Sequence, residues 1–563
     1  MFPKRKIVAL LGSVLFVSSV ISACTGDDKA SEGSETPSTT TGEETNTPSA
    51  EETPAPPEEV TLEFYMPSPV SEVTDMQAVL DKFYEETKDT LNTKIHFNFT
   101  TFDDIGQKVS LKLAAGEQVD SIFTAPWTSP NINQQISQGQ LLNLDSYFNN
   151  DKYPGLKKAF TQEYLKNNSF ADSTGTSHIY GIPFTHGFNS GSVIYYRKDL
   201  AEKYGIGEIT SYDDLVAFYD AIVKNEKGIV PLSLNGSNIN LASILSEMKT
   251  TEASYRIQSG VAPFTNAVVF EGSKDVYIPK TMNPWNDPEF VKLAKSPPAE
   301  DPLWYYAAAV DWYNKGYIEK DVLAQKDPDG QFMAGKAASV YRSLDIYSTQ
   351  SQQLEAAIPG AKLGYFITNQ FLRDEKPKMM GSDFKAWNFA AIPANSKNAD
   401  RTMAFFDWLF SSQENHDLFE FGIEGKHWNA IGDSKYEVPA GLDSTQTYNF
   451  PAYTLTWNPT MVRYDSKTPD DVVRKLNLLG DTNFFYSLPA SGFSFVSDNV
   501  TNELAKISDV ASKMHPIGFG LVPDYKTALD QLQEDLDKAG YQKLVAELQK
   551  QFSDYLSQNP YEY

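Results

Sequence analysis

Between residues 60 and 100 the apolar positions change period twice. In VTLEFY (60–65) Val60, Leu62 and Phe64 alternate with Thr61, Glu63 and Tyr65, the period of a strand, and Pro67 and Pro69 end it. Met76, Val79, Leu80, Phe83 and Tyr84 then recur at i, i+3, i+4, i+7 and i+8, which predicts an amphipathic helix behind a Thr74 cap. TKIHFNFT (93–100) returns to a strand pattern. Strand, helix and strand within about forty residues make a crossover unit, and crossover units build parallel sheets.

The pattern repeats. FDDIGQKVSLKLAAGEQVDSIFTAPW (102–127) predicts a helix and an apolar strand that ends in a loop at Ala125-Pro126-Trp127. Ligands of open α/β sheets sit beyond the carboxyl ends of strands, where both this loop and Tyr65-Met66-Pro67-Ser68 fall. IYGIPFTHGFNSGSVIYYRKDLAEKYGI (179–206) reads as a short strand, a Gly-rich bend and a second strand running into a helix. AASVYRSLD (337–345) predicts a strand ending at Tyr341, with Arg342 facing a loop. FKAWNFAAIPANSKNADRTMAFFDWLFSSQE (384–414) predicts strand, turn and helix, capped by Asn398 or Asp400, and 524–556 gives two amphipathic helices split at Gly540. Trp312 and Trp408 lie on amphipathic helices and are expected in the core. In FGIEGKHW (421–428) the glycines suggest a helix stop and a tight turn, a mainly structural role. No solenoid-type repeat is visible.

Length and composition extend the picture. The 504 residues from 60 to 563 exceed what one core usually supports, so at least two domains are expected. Ahead of them, Lys4, Arg5 and Lys6 precede an apolar run, Ile7 to Val20, and the small residues Ser22 and Ala23, which reads as a secretory signal over residues 1–23. Cys24 is the single cysteine, so neither an intramolecular disulfide nor a cysteine metal site can use it. Residues 25–59 carry ten acids and one lysine and almost no large apolar side chain; such a segment is expected to be a disordered tether spanning roughly 30–35 Å. Removing 1–23 takes three cations and no acid from a net charge of −26, leaving −29. Broad nucleic-acid binding needs a basic footprint and is excluded on that ground.

Several segments carry a family signature. Ile21-Ser22-Ala23-Cys24 resembles a lipobox, and IYGIP (179–183), VIYYRKDLAEKYGI (193–206), AIPANSKNADRTMAFFDWL (391–409) and FGIEGKHW (421–428) resemble the extracellular solute-binding lipoproteins of ABC sugar importers. Within that family 1 group, the stretch from about Phe485 to the last helix resembles the extra C-terminal domain of the LipO type. The resemblance implies an α/β, two-lobed periplasmic-binding-protein-like fold with a hinge and an inter-lobe cleft. It places one lobe at 60–185 with 390–465 and the other at 186–389 with 466–563. It implies an oligosaccharide ligand, ABC permease subunits as partners, lipidation of Cys24 (24–59 forming the lipidated tether), a site on the extracellular face of the bacterial cell membrane, a monomer, and no cofactor. Some relatives hold calcium in an Asp/Asn-rich loop; Asn225-Glu226-Lys227-Gly228 stands at that place, too poor in ligands for a hard cation, so no metal is expected there.

Sugars are recognised by aromatic faces together with polar groups in the plane of the ring. The candidates are therefore rings and polar residues on strand-end loops: Tyr65, Trp127, His186, Phe188, Asp383, Trp387 and Trp457, with Arg342 as a planar donor. An enzyme has little support. The six histidines form no His-Glu-x-x-His pair, and neither a Gly-x-Ser-x-Gly elbow nor a phosphate-cradling loop is present. A glycosidase carboxylate pair is not excluded by spacing. A surface glycan adhesin or sensor subunit, or a peptide binder of the same fold, stays open beside import.

Overall fold

In the computed structural model, residues 57–563 are described apart from 238–239, 250–252, 296–300 and 443–447. The signal segment, Cys24 and the tether up to residue 56 lie outside the described residues.

The predicted crossover units build a five-stranded sheet in the order Thr93–Thr100, Val60–Pro67, Ser121–Thr124, Asn388–Ala391, Ile182–Phe184. The first three strands are parallel, and Asn388–Ala391 runs antiparallel to both of its neighbours. The helices Met76–Thr87 and Phe102–Ala114 are the crossovers. Thr101 caps the second of them, accepting from the Asp104 amide. The expected Thr74 cap is replaced by Asp75, which sits in the left-handed region at φ 55° with no side-chain capping bond.

A second sheet places Ser192–Arg197 between Ser339–Ser343 and Leu363–Ile367, antiparallel to both. Its central strand shows how period 2 serves two cores at once. Ile194 and Tyr196 enter one cluster, with Phe218, Trp312 and Leu532, while Val193 and Tyr195 enter another, with Phe332, Leu354 and Phe485. A smaller antiparallel sheet joins Tyr255–Ser259, Asn266–Phe270 and Val276–Tyr277.

The clusters assign the chain in alternating pieces. Residues from Leu62 to Phe184 and from Ala386 to Met461 share one core. Residues from Val193 to Phe384 and from Val472 to Phe552 fill the others. The chain therefore passes between the cores three times: after Phe184, between Phe384 and Ala386, and between Met461 and Val472. The C-terminal helices Thr501–Ala511, Tyr525–Ala539 and Tyr541–Gln558 make no core of their own; Ile507, Leu529, Leu536 and Phe552 pack in the cluster that holds Leu241 and Trp312. Gly540, at φ 104°, ends one of these helices and starts the next.

Trp312 is buried and Trp408 packs against the first core, as their helices predict. The FGIEGKHW turn has Gly422 and Gly425 at positive φ, and the buried Trp428 donates its indole N–H to the Gly422 carbonyl at 3.0 Å.

Candidate functional site

The three crossing segments converge on a cleft of about 730 Å³. Residues 185–190 supply His186 and Phe188, 381–387 supply Asp383 and Trp387, and 457–468 supply Trp457 and Arg463. Asp345, Gln258 and Tyr486, from the side of the second set of cores, complete the wall.

Each ring is placed by a specific contact. The Trp457 carbonyl accepts the Thr185 amide at 3.1 Å. Its indole stacks on His186 with centroids 4.3 Å apart and planes 28° apart. Tyr453 meets Trp457 edge-on at 6.0 Å and lies over Phe102 at 5.9 Å, so Phe102, Tyr453, Trp457 and His186 form a continuous line of rings. Trp127, beside Phe102 and Phe123, donates its indole N–H to the Trp387 carbonyl at 2.8 Å. Phe102, Trp127 and Trp387 are 42%, 50% and 64% exposed, unusual for side chains of this size.

Beneath the rings lies a buried polar layer. The helix Gln413–Glu420 turns His416, Asp417 and Glu420 inward. Arg463 Nε donates to Asp417 at 2.6 Å, and His416 bridges Asp417 and the Thr456 carbonyl. Glu420 accepts from the Thr456 hydroxyl and has its other oxygen 3.7 Å from His186 Nε2. Burial raises the Glu420 pKa above the ordinary carboxylate value. Desolvation, with a smaller contribution from nearby His416, pushes His186 down to about 3, so the ring beside Trp457 is neutral at neutral pH. Lys385, whose amine donates to the Phe493 carbonyl at 2.8 Å, is also lowered by burial.

Of the residues expected from the sequence, His186, Phe188, Asp383, Trp387 and Trp457 line this cleft, and Trp127 adjoins it through Trp387. Phe188 is also structural, packing edge-on to Tyr164 and Phe384 between two cores. Tyr65 departs from the expectation: it is 4% exposed in the first core, on a sheet face that the helix Phe102–Ala114 covers, with Lys108 Nζ 5.9 Å from its ring centroid. Arg342 departs as well. It lies within the strand Ser339–Ser343, its guanidinium is committed to Asp329, and it borders a separate hollow of about 240 Å³. Glu420, Arg463, Tyr436 and Tyr486 were not anticipated. A readable signal existed for the first, since His416, Asp417 and Glu420 put polar groups on a helix face that the surrounding apolar residues turn inward.

Sequence comparison decides the class. Residues 70–416 match the family described as bacterial extracellular solute-binding protein. The chain belongs to that family. Residues 489–557 match a domain of unknown function (DUF3502), the region whose helices complete the second set of cores in this solute-binding protein. It is 24% identical over 492 residues to a carbohydrate ABC transporter substrate-binding protein of Streptococcus pneumoniae, covering 86% of this chain and 88% of that one. Over 329 residues it is 26% identical to an uncharacterized ABC transporter extracellular-binding protein of Pyrococcus horikoshii, 56% of this chain and 66% of the other. Among solved structures, the N-glycan transport solute-binding protein NgtS of S. pneumoniae superposes with a TM-score of 0.64 at 20% identity, covering 88% of this chain and 99% of that one. An HMO-binding, ABC-transporter-associated solute-binding protein of Bifidobacterium longum infantis gives 0.58 at 16% identity, with 88% and 99% covered. At these identities the likeness to the solved structures is one of fold.

Proposed function

We propose that this solute-binding protein captures an oligosaccharide in the cleft and delivers it to the permease of an ABC importer, without covalent chemistry. The observation that carries the reading is the line of aromatic rings from Phe102 to His186, with Trp127 and Trp387 beside it. Rings stack on the apolar faces of successive sugars, and the polar cleft groups between them suit hydroxyls. The relatives named as carbohydrate and N-glycan binders support the same reading.

In this proposal residues 60–185 with 390–465 form one lobe and 186–389 with 466–563 the other. Separate hydrophobic cores joined by three crossings support that division. Ligand that touches both lobes shifts an open–closed equilibrium toward the closed form. Cys24 carries a lipid, and the protein works at the outer face of the cell membrane. Among the described residues no helix is long and apolar enough to cross a membrane.

Thermal-shift measurements against panels of neutral and acidic oligosaccharides and of peptides test the reading. Ligand at a hundred times its Kd adds about 2.7 kcal/mol of stability, a clear rise in Tm. Stabilisation by peptides and by no glycan overturns it, and glycan turnover during the assay would point to an enzyme.

A further inference from the structure

A second chamber, of about 740 Å³, opens beside the cleft. The two share Asn189, Ile257, Ser259, Gly381 and Tyr486 as wall residues, so they adjoin one another. Their charges differ in sign. The charged groups of the cleft are Asp345, Asp383, Glu420 and Asp465 against Lys385 and Arg463, and Arg463 is already committed to Asp417. Among the described residues, the charged side chains that line the chamber are Arg256 and Lys378.

Arg256 is held in an unusual setting for a chain with 74 acidic residues. Its guanidinium carbon lies 4.2 Å from the centroid of the Tyr486 ring and 4.3 Å from that of Tyr563, and one terminal nitrogen donates to the Tyr561 hydroxyl at 3.0 Å. Among the described residues no carboxylate pairs with it, which leaves the rest of its planar donor fork available. The Lys378 amine donates to the Phe485 carbonyl at 2.6 Å and likewise has no acidic partner among the described residues. Asn283, on the same chamber wall, buries an amide nitrogen that has no hydrogen-bond partner among the described residues. Buried donors without acceptors are costly, and a ligand oxygen relieves that cost. Trp285 and Tyr305 add sugar-sized aromatic surface.

We propose that this chamber is a second ligand subsite that binds a carboxylate-bearing sugar, such as a terminal uronic or sialic acid, through Arg256 and Lys378 while the neutral part of the same oligosaccharide occupies the cleft. The proposal rests on the oligosaccharide reading above and adds to it where the acidic residue goes.

Calorimetric titration with matched oligosaccharide pairs, identical except for one terminal acidic sugar, tests both claims separately. The acidic member is expected to bind at least tenfold more tightly than its neutral counterpart, with an advantage that shrinks as salt is added. In Arg256→Gln and in Lys378→Gln that advantage falls below about threefold while the neutral member binds as in the wild type, which also shows that the variants are folded; Arg256→Lys, which keeps the charge without the fork, falls between. Equal binding of the two members, or an acidic advantage that survives both Gln substitutions, overturns the chamber and leaves the oligosaccharide reading standing. Binding of neither member by the wild-type protein overturns both.

Discussion

At the scale of single residues, exposure separates side chains that hold the fold from those available to ligand. Trp387 is 64% exposed, and its contact with Trp127 runs through its own carbonyl, which a substitution keeps. Trp387→Ala is therefore expected to leave Tm within a degree or two while weakening glycan binding two- to tenfold, from about 0.5–1.5 kcal/mol per lost aromatic contact; titration beside thermal melting checks this. His186 sets a pH dependence. Its pKa, down at about 3 in the fold against about 6.5 in an unfolded chain, makes the folded state bind fewer protons between those values. Its stabilising contribution is complete above pH 6.5 and is lost as pH falls toward 3. Glu420 has the opposite sign, because its raised pKa gives a contribution present below about 4.5 and lost as pH climbs through the raised value. His186→Gln is expected to lose less Tm than the wild type between pH 6.5 and 4.5, and parallel melting curves in the two proteins would contradict this. Residue-level reading of the sequence picked out Trp387 and Trp457, which line the cleft from loop positions just before the strand Asn388–Ala391 and just after the short 3-10 helix Ala452–Thr454. It failed at Tyr65, because alternation does not reveal that a strand is covered on both faces, and at Arg342, whose partner Asp329 is thirteen residues away and invisible to periodicity.

At the scale of elements the period changes were reliable guides. The helix read from Met76 to Tyr84 forms as Met76–Thr87, the strand 93–100 forms at those bounds, and the tail splits at Gly540. Packing between elements was less legible, because it depends on which faces meet. Helix Pro154–Ala159 crosses helix Ala399–Leu409 at Gly155, where an added Cβ would come within 2.1 Å of the Asp407 carbonyl oxygen. Nothing in PGLKKA marks that approach. Gly155→Ala is expected to cost roughly 1–3 kcal/mol through forced backbone shifts, read as a lower urea midpoint with an unchanged slope. Gly155 is not among the residues that line the cleft, so binding is expected to survive wherever the variant remains folded.

At the scale of the whole molecule, sequence similarity and packing divide the chain differently. The C-terminal region resembles a separable domain in sequence, yet Phe493, Ile507, Leu532, Leu544 and Phe552 share a core with Phe218, Leu241 and Trp312. Truncation after Leu488 is expected to expose that apolar surface and yield aggregated protein, assayed by solubility and gel filtration. A soluble monomer with native melting would contradict it. Two cores could be anticipated from length alone, but not the three crossings, since a segment that leaves one core for another, such as 382–388, looks like any other connection.

The three crossings also gather fluorophores. Of eight tryptophans, Trp127, Trp387 and Trp457 stand at the cleft, Trp285 and Trp304 line the chamber, and Trp312 and Trp428 are sealed in the interior. A ligand confined to the cleft displaces water from one set of indoles, whereas one that also reaches the chamber displaces it from both. The native emission spectrum thus carries a built-in optical record of how far a bound glycan extends.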